Sequence, residues 1–190
     1  MRRLRALALA LLSSIPSAVC AQELVIDRVQ LEAPLSGPAV SFLRDPAGER
    51  SAAFVAGLPE TRWTQFSGSD GFGYTRDVVW LRVRIRNDSG DPVFYLTEHH
   101  GIDEFMAYQR AEGTNALTMV GTSGWAPSPD PGTTEAGPGL ASVVLRSAPG
   151  TETEVFIRTR SSSSLNPRFI VMASGRFLRE TRGTVLIQGL

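Results

Sequence analysis

Between Val79 and Arg86 the chain alternates without a fault. Val79, Leu81, Val83 and Ile85 are aliphatic, and Trp80, Arg82, Arg84 and Arg86 stand between them. A period of two is the period of a β-strand, whose successive side chains leave on opposite faces. A helix would scatter the four aliphatic residues around its circumference. The run therefore requires a sheet with one dry face, and a second layer to keep that face dry. The stretch "VFIRTR" repeats the arrangement, with Val155, Ile157 and Thr159 on one side and Phe156, Arg158 and Arg160 on the other.

The other apolar segments are equally short, and Gly, Pro, Asp and Ser separate them. Residues 24–31, 39–45, 92–99, 103–110, 116–121, 141–147, 153–160 and 168–174 read as strands beside the opening run. "EAPLSGP" reads as a break between the first two, "DPAG" (45–48) as a turn, and "NDSGD" (87–91) as the link of a hairpin. "ERSAAFVAG" (49–57) is the best helix, and the closing stretch from Ser174 also suits one. Residues 122–140 are so dense in Pro and Gly that they read as one long loop. About nine short strands with few helices predict an all-β fold, an antiparallel two-sheet β-sandwich with one short helix.

The amino terminus stands apart from this pattern. Arg2, Arg3 and Arg5 precede an apolar run from Ala6 to Leu12, and Val19 and Ala21 are placed for cleavage between Ala21 and Gln22. Residues 1–21 thus have the layout of a secretory signal peptide. The run is well short of the ~20 residues that a membrane span needs. Cys20, the one cysteine, falls inside it. A lipoprotein reading would keep Cys20 as a lipidated first residue, but Ser17, Ala18 and Val19 lack the leucine and small residue expected before it. After cleavage no disulfide can form, although the compartment permits one. Removing the three leader arginines leaves 16 basic residues, all arginine, against 19 acidic ones, a net charge of −3. A mildly acidic domain of this kind argues against nucleic acid as a partner.

Catalytic constellations are missing. The chain has no Gly-x-Ser-x-Gly, no phosphate-cradling glycine loop and no paired cysteines. His99 and His100, with Asp103 and Glu104 nearby, are the sole suggestion of a metal site, but adjacent residues on a strand point to opposite faces. They read as loop-edge histidines. The expectation is a protein that is not an enzyme and that carries no cofactor and no metal.

Several segments now stand in a recognisable order. "FLRDPAGERS", "GFGYTRDVVWLRVRIRN", "IDEFMAYQR" and "PGTETEVFIRTRSSSSLNP" together resemble the periplasmic input domain of bacterial seven-transmembrane receptors with diverse intracellular signalling modules, in its second extracellular type. The resemblance covers residues 24 to 180. It implies a jelly-roll-like sandwich, similar to carbohydrate-binding modules, that senses a ligand at the outer face of the inner membrane. Seven helices would pass the signal to a kinase, cyclase or phosphatase output. The chain stops at Leu190, where the first membrane helix of such a receptor would begin. On this reading residues 22–180 are the periplasmic sensor domain, and 181–190 are a tail that would open an absent span. The alternatives are a free-standing periplasmic carbohydrate-binding protein and, third, a jelly-roll enzyme.

The arginine face supports two readings. It is a solvated surface whose arginines pair with cross-strand Asp or Glu, or it is the floor of a binding site. In the second, Trp80 or Phe156 supplies a stacking platform, and Arg82, Arg84 and Arg158 supply planar forks for hydroxyls or a carboxylate. Trp125 would then form a lid from the long loop, while Trp63 belongs to the core behind the short helix. The partner on that reading is a small molecule, a carbohydrate or small anion, together with the membrane-spanning part of the receptor.

Overall fold

The computed structural model describes residues 22–68, 71–111, 113–124 and 141–180. At its centre lies β6 (Val78–Asn87), the alternating run itself. One edge of β6 pairs along its length with β11 (Glu152–Arg160), which pairs in turn with β8 (Glu104–Ala111), followed by β9 (Thr118–Ser123). The other edge is shared. β3 (Gly37–Asp45) takes residues 78–83, with β4 (Thr64–Phe66) outside it, and β1 (Leu24–Ile26) runs parallel to the last three residues of β6. A second sheet has the order β10 (Ala141–Arg146), β7 (Val93–Glu98), β13 (Phe169–Ala173), β2 (Glu32–Pro34). A two-residue ribbon, β5 (Gly73–Tyr74) with β12 (Ser164–Leu165), lies apart from both.

The two large sheets enclose one core. Val79, Leu81, Val83, Ile85, Val155, Ile157 and Phe105 meet Phe94, Leu96, Val143, Leu145, Phe169 and Val171 within it. The inward set of β6 is therefore the aliphatic set, as alternation requires. The fold is all-β, a two-sheet sandwich of the jelly-roll-like kind.

Three local expectations give way. The segment 24–31 extends only to Ile26, because Asp27 turns the chain: its Oδ1 accepts the N–H groups of Val29 at 2.7 Å and Gln30 at 2.6 Å. "EAPLSGP" is not simply a break. It holds β2, and Gly37, at a φ of 76°, lets β3 begin earlier than Ala39. "NDSGD" is not a hairpin link, since β6 and β7 belong to different sheets. The side chain of the buried Asn87 donates to the carbonyls of Asp91 at 2.8 Å and Ser147 at 2.7 Å, which pins a corner where the chain crosses over.

A short helix and a 3₁₀ turn cap the large sheet, and a third helical piece lies towards the other end of the chain. Ser51 accepts the N–H of Phe54 at 3.2 Å and so starts α1 (Ala52–Ala56). Val55 drops from α1 onto the outer face of the large sheet, where Leu43, Val78, Trp80 and Phe156 form a second, smaller apolar cluster. A 3₁₀ turn, Glu60–Arg62, then returns the chain to β4. At the other end residues 174–180 are helical, and Phe177 stacks on Tyr95 at 3.9 Å between ring centres.

Candidate functional site

The outer face of β6 changes character along its length. Trp80 is 0% exposed. The side chains that follow on the same face are 11% exposed at Arg82, 27% at Arg84 and 40% at Arg86. The cause is α1, which lies over the Trp80 end and leaves the other end open. Trp80 packs beside Tyr108 at 5.9 Å, and the equally buried Phe156 lies beside Trp63 at 6.1 Å. Neither Trp80 nor Phe156 has a ring face to offer a ligand, which corrects the expected stacking platform. Trp63, expected in the core, and Tyr108 both keep partly open rings, and of the two it is Trp63 that borders a cleft.

Trp63 borders a cleft of about 330 Å³ on this face. Ser41 and Gln65 of the sheet edge form one wall, Glu60 of the 3₁₀ turn another, and Arg82 and Arg84 the floor. Beneath the cleft runs an ion-pair network. Glu154, opposite Arg84 on one neighbour and Arg110 on the other, accepts Nε of Arg82 at 2.5 Å and Nε of Arg110 at 2.9 Å, and also binds Nη2 of Arg110. Burial pushes the Glu154 carboxyl up, but hydrogen bonds and charge from Arg110 and Arg82 together outweigh it and hold the group below the usual range. Glu60 reaches down from the turn to Nη1 of Arg82 at 3.0 Å and Nη2 of Arg84 at 2.7 Å. Arg84 also lies 3.7 Å from Glu152. The Arg82 guanidinium stands 5.6 Å from the Trp63 ring centre and 5.9 Å from that of Phe156.

Three arginines thus face three glutamates, and their charges cancel. What remains is a set of fixed, alternating donors and acceptors beside an apolar plate. Such a surface suits hydroxyl groups, which both donate and accept, better than it suits a bare ion. The indole N–H groups of Trp63 and Trp80 are both buried and meet no acceptor among the described residues.

The other expected residues fall elsewhere. Arg158 donates to the carbonyl of Gly48 at 3.3 Å and lies 4.0 Å from Glu104, so it belongs to the α1 approach and not to the cleft. Trp125 lies outside the described residues. The same is true of residues 1–21, with Cys20, and of 181–190. His99 and His100 are exposed, and the neighbouring carboxylates are engaged by backbone: Glu98 accepts the N–H groups of His100, Gly101 and Ile102, and Asp103 accepts that of Ser162. Among the described residues no three His, Cys, Asp or Glu side chains gather to hold a metal, and no helix is long and apolar enough to cross a membrane.

The sequence did hold signals for the missed residues. Glu154 shares the outer face with Phe156 and Arg158 by simple alternation, so it was a foreseeable partner for the arginines of β6. Glu60 carried no such signal, because its reach to β6 depends on where α1 delivers the 3₁₀ turn.

No curated protein matches the chain. A family profile does, that of 7TMR-DISM extracellular 2, over residues 37–173. The match runs from the first residue of β3 to the last of β13, and takes in both cap segments and the whole ion-pair network. The chain therefore belongs to the 7TMR-DISM extracellular 2 family, the non-catalytic extracellular or periplasmic sensory domains of seven-transmembrane receptors with diverse intracellular signalling modules.

Proposed function

We propose that this domain senses a carbohydrate in the periplasm and that the sugar sits in the cleft beside Trp63. The partly open indole next to a charge-balanced network is the observation that carries the reading. The C–H face of a sugar ring stacks on an aromatic plate, while its hydroxyls need donors and acceptors held in fixed directions. Glu60, the most open member of the network, and Arg84 both line the cleft and so are the first to meet a ligand. The cleft has walls from both the sheet edge and the cap, so a bound ring would tie the two together and favour one arrangement of them. Residues 1–21 act in this proposal as the export leader, cleaved before Gln22, and the signal passes to the membrane-spanning part of the receptor.

A thermal-shift screen against neutral mono- and oligosaccharides tests the site, because a ligand that binds only the native state raises its melting temperature. At least one sugar should stabilise the wild type and leave Trp63→Ala unmoved. A sugar that stabilises both proteins equally would place its site elsewhere.

A further inference from the structure

Two stretches of the chain take no part in the Trp63 cleft, Gly71–Asp77 before β6 and Ser161–Pro167 after β11. Far apart in sequence, they are joined by the β5–β12 ribbon, in which Tyr74 faces Ser164 and Gly73 faces Leu165. The N–H of Phe72 donates to the Leu165 carbonyl at 2.8 Å. Phe72 and Leu165 are buried and anchor the ribbon in the core, whereas Tyr74 is 89% exposed. Next to the ribbon, at the end of the large sheet, lies a separate cleft of about 460 Å³ bordered by Thr75, Arg76, Arg160, Ser161 and Ser162.

Ion pairing, not net charge, separates this cleft from the first, since Arg76 and Arg160 are matched in number by Asp103 and Glu104. Its two carboxylates, Asp103 and Glu104, are already engaged. Asp103 accepts the Ser162 N–H at 2.5 Å, and Glu104 lies 4.0 Å from Arg158. Hydrogen bonds from Ser162 hold the Asp103 carboxyl below its ordinary range, and Arg160 adds a weaker electrostatic pull. Neither Arg76 nor Arg160 forms an ion pair within 4.0 Å among the described residues. Hence the Trp63 cleft has all its guanidinium groups in close ion pairs, and this one has two with no carboxylate within 4.0 Å among the described residues. Its floor is also fixed in advance, since Ser161 Oγ accepts the Ser163 N–H at 3.3 Å and lies 3.0 Å from Ser163 Oγ.

We propose that this cleft is a second ligand site, specific for a carboxylate carried on a hydroxylated frame, such as an acidic sugar. Arg76 and Arg160 take the carboxylate, for which the guanidinium fork is suited. Thr75 and Ser162 offer hydroxyls to the frame. The volume is in the range of small-molecule sites and larger than a bare oxyanion requires.

Calorimetric titration of the purified full chain tests this independently of the Trp63 cleft. The probes are glucuronate, glucose and inorganic sulfate, and the background is Trp63→Ala, which silences the first cleft. In that background glucuronate should bind, glucose should not, and sulfate should bind more weakly than glucuronate. Adding Arg160→Gln or Arg76→Gln should weaken glucuronate by about tenfold or more, the loss expected for a charge-assisted hydrogen bond. Arg160 is exposed, so its variant should keep the parent melting temperature. Glucuronate affinity that is absent, matched by glucose or by sulfate, or unmoved by both arginine substitutions would overturn the proposal. Loss of glucuronate binding with Trp63→Ala alone would overturn it too, and would leave the first cleft as its seat.

Discussion

The two ends of the outer face of β6 are built alike and live in different solvents. At one end Trp80, Phe156 and Val55 form a dry cluster under α1. At the other, Arg84 and Arg86 stand in water on the same strand and the same face. The strand does not make this difference. A helix of five residues does, by covering one end and stopping short of the other. Alternation tells which side a residue faces, whereas depth on that side is set by whatever is laid across it. The dry end holds the cap to the sheet, and the boundary between dry and wet is where the Trp63 cleft opens. At that boundary polar groups are partly desolvated and so hydrogen-bond more strongly than they would in open water.

Truncation at the dry end should cost the most. Trp80→Ala should cost ~3–5 kcal/mol, in the same range as Leu81→Ala in the main core, because both leave cavities in close-packed surroundings. Arg86→Ala, on the face that Trp80 shares, should stay within about 0.5 kcal/mol. Trp80→Phe should cost far less than Trp80→Ala, since it keeps much of the packing and removes a buried N–H that has no acceptor among the described residues. Urea unfolding of the four variants measures all of this. If Trp80→Ala proved as mild as Arg86→Ala, the cap would not be packed on the sheet and the dry end would not exist.

The boundary itself rests on Glu154. Glu154→Gln leaves Arg82 and Arg110 without their shared carboxylate and should cost ~2 kcal/mol, between the values for exposed and fully buried pairs. The sign of its pH dependence follows from the lowered pKa. A carboxyl depressed by folding stabilises the native state above its unfolded value, and that contribution disappears as pH falls through the folded value. The wild type should therefore lose stability as pH drops below about 4.5, the ordinary glutamate value. Glu154→Gln should lose less over that interval. Melting temperatures recorded from neutral pH downward for the two proteins give the difference, and parallel curves would mean that the network contributes nothing to the fold.

Much of this arrangement was written in local periodicity, and the remainder was not local. The long strands, the aliphatic inward set and the two-sheet class follow from alternation and turn residues alone. The strands β2, β4, β5 and β12 are two or three residues long, too short to show a period. Asn87 looked like part of a hairpin because a turn sequence does not say which sheet the next strand will join. Trp80 looked exposed because it alternates with aliphatic residues, and nothing within β6 announces that Val55 will lie over it. Trp63 and Glu60 enter the site through the same cap, and for the same reason neither was legible from the strand.

Glu60 gives the finest test, since it alone among the glutamates of the network comes from the cap. Its side chain is 58% exposed, and its contacts with Arg82 and Arg84 should contribute no more than ~0.5 kcal/mol, the usual yield of an exposed pair. Glu60→Ala should accordingly shift the melting temperature by no more than about 2 °C for a domain of this size. Its effect on recognition should be larger than its effect on stability. Removing one carboxylate unbalances three arginines against three glutamates, and the floor of the Trp63 cleft gains a net positive charge. Neutral sugars should then bind more weakly there, and anionic ones should begin to compete for Arg84, as titration of Glu60→Ala with glucose and glucuronate in the Arg160→Gln background would show. A loss of stability comparable to that of Trp80→Ala would instead make Glu60 the latch of the cap. The dry and wet ends of the face would then be one cooperative unit, and a ligand that displaced Glu60 would loosen the cap as it bound.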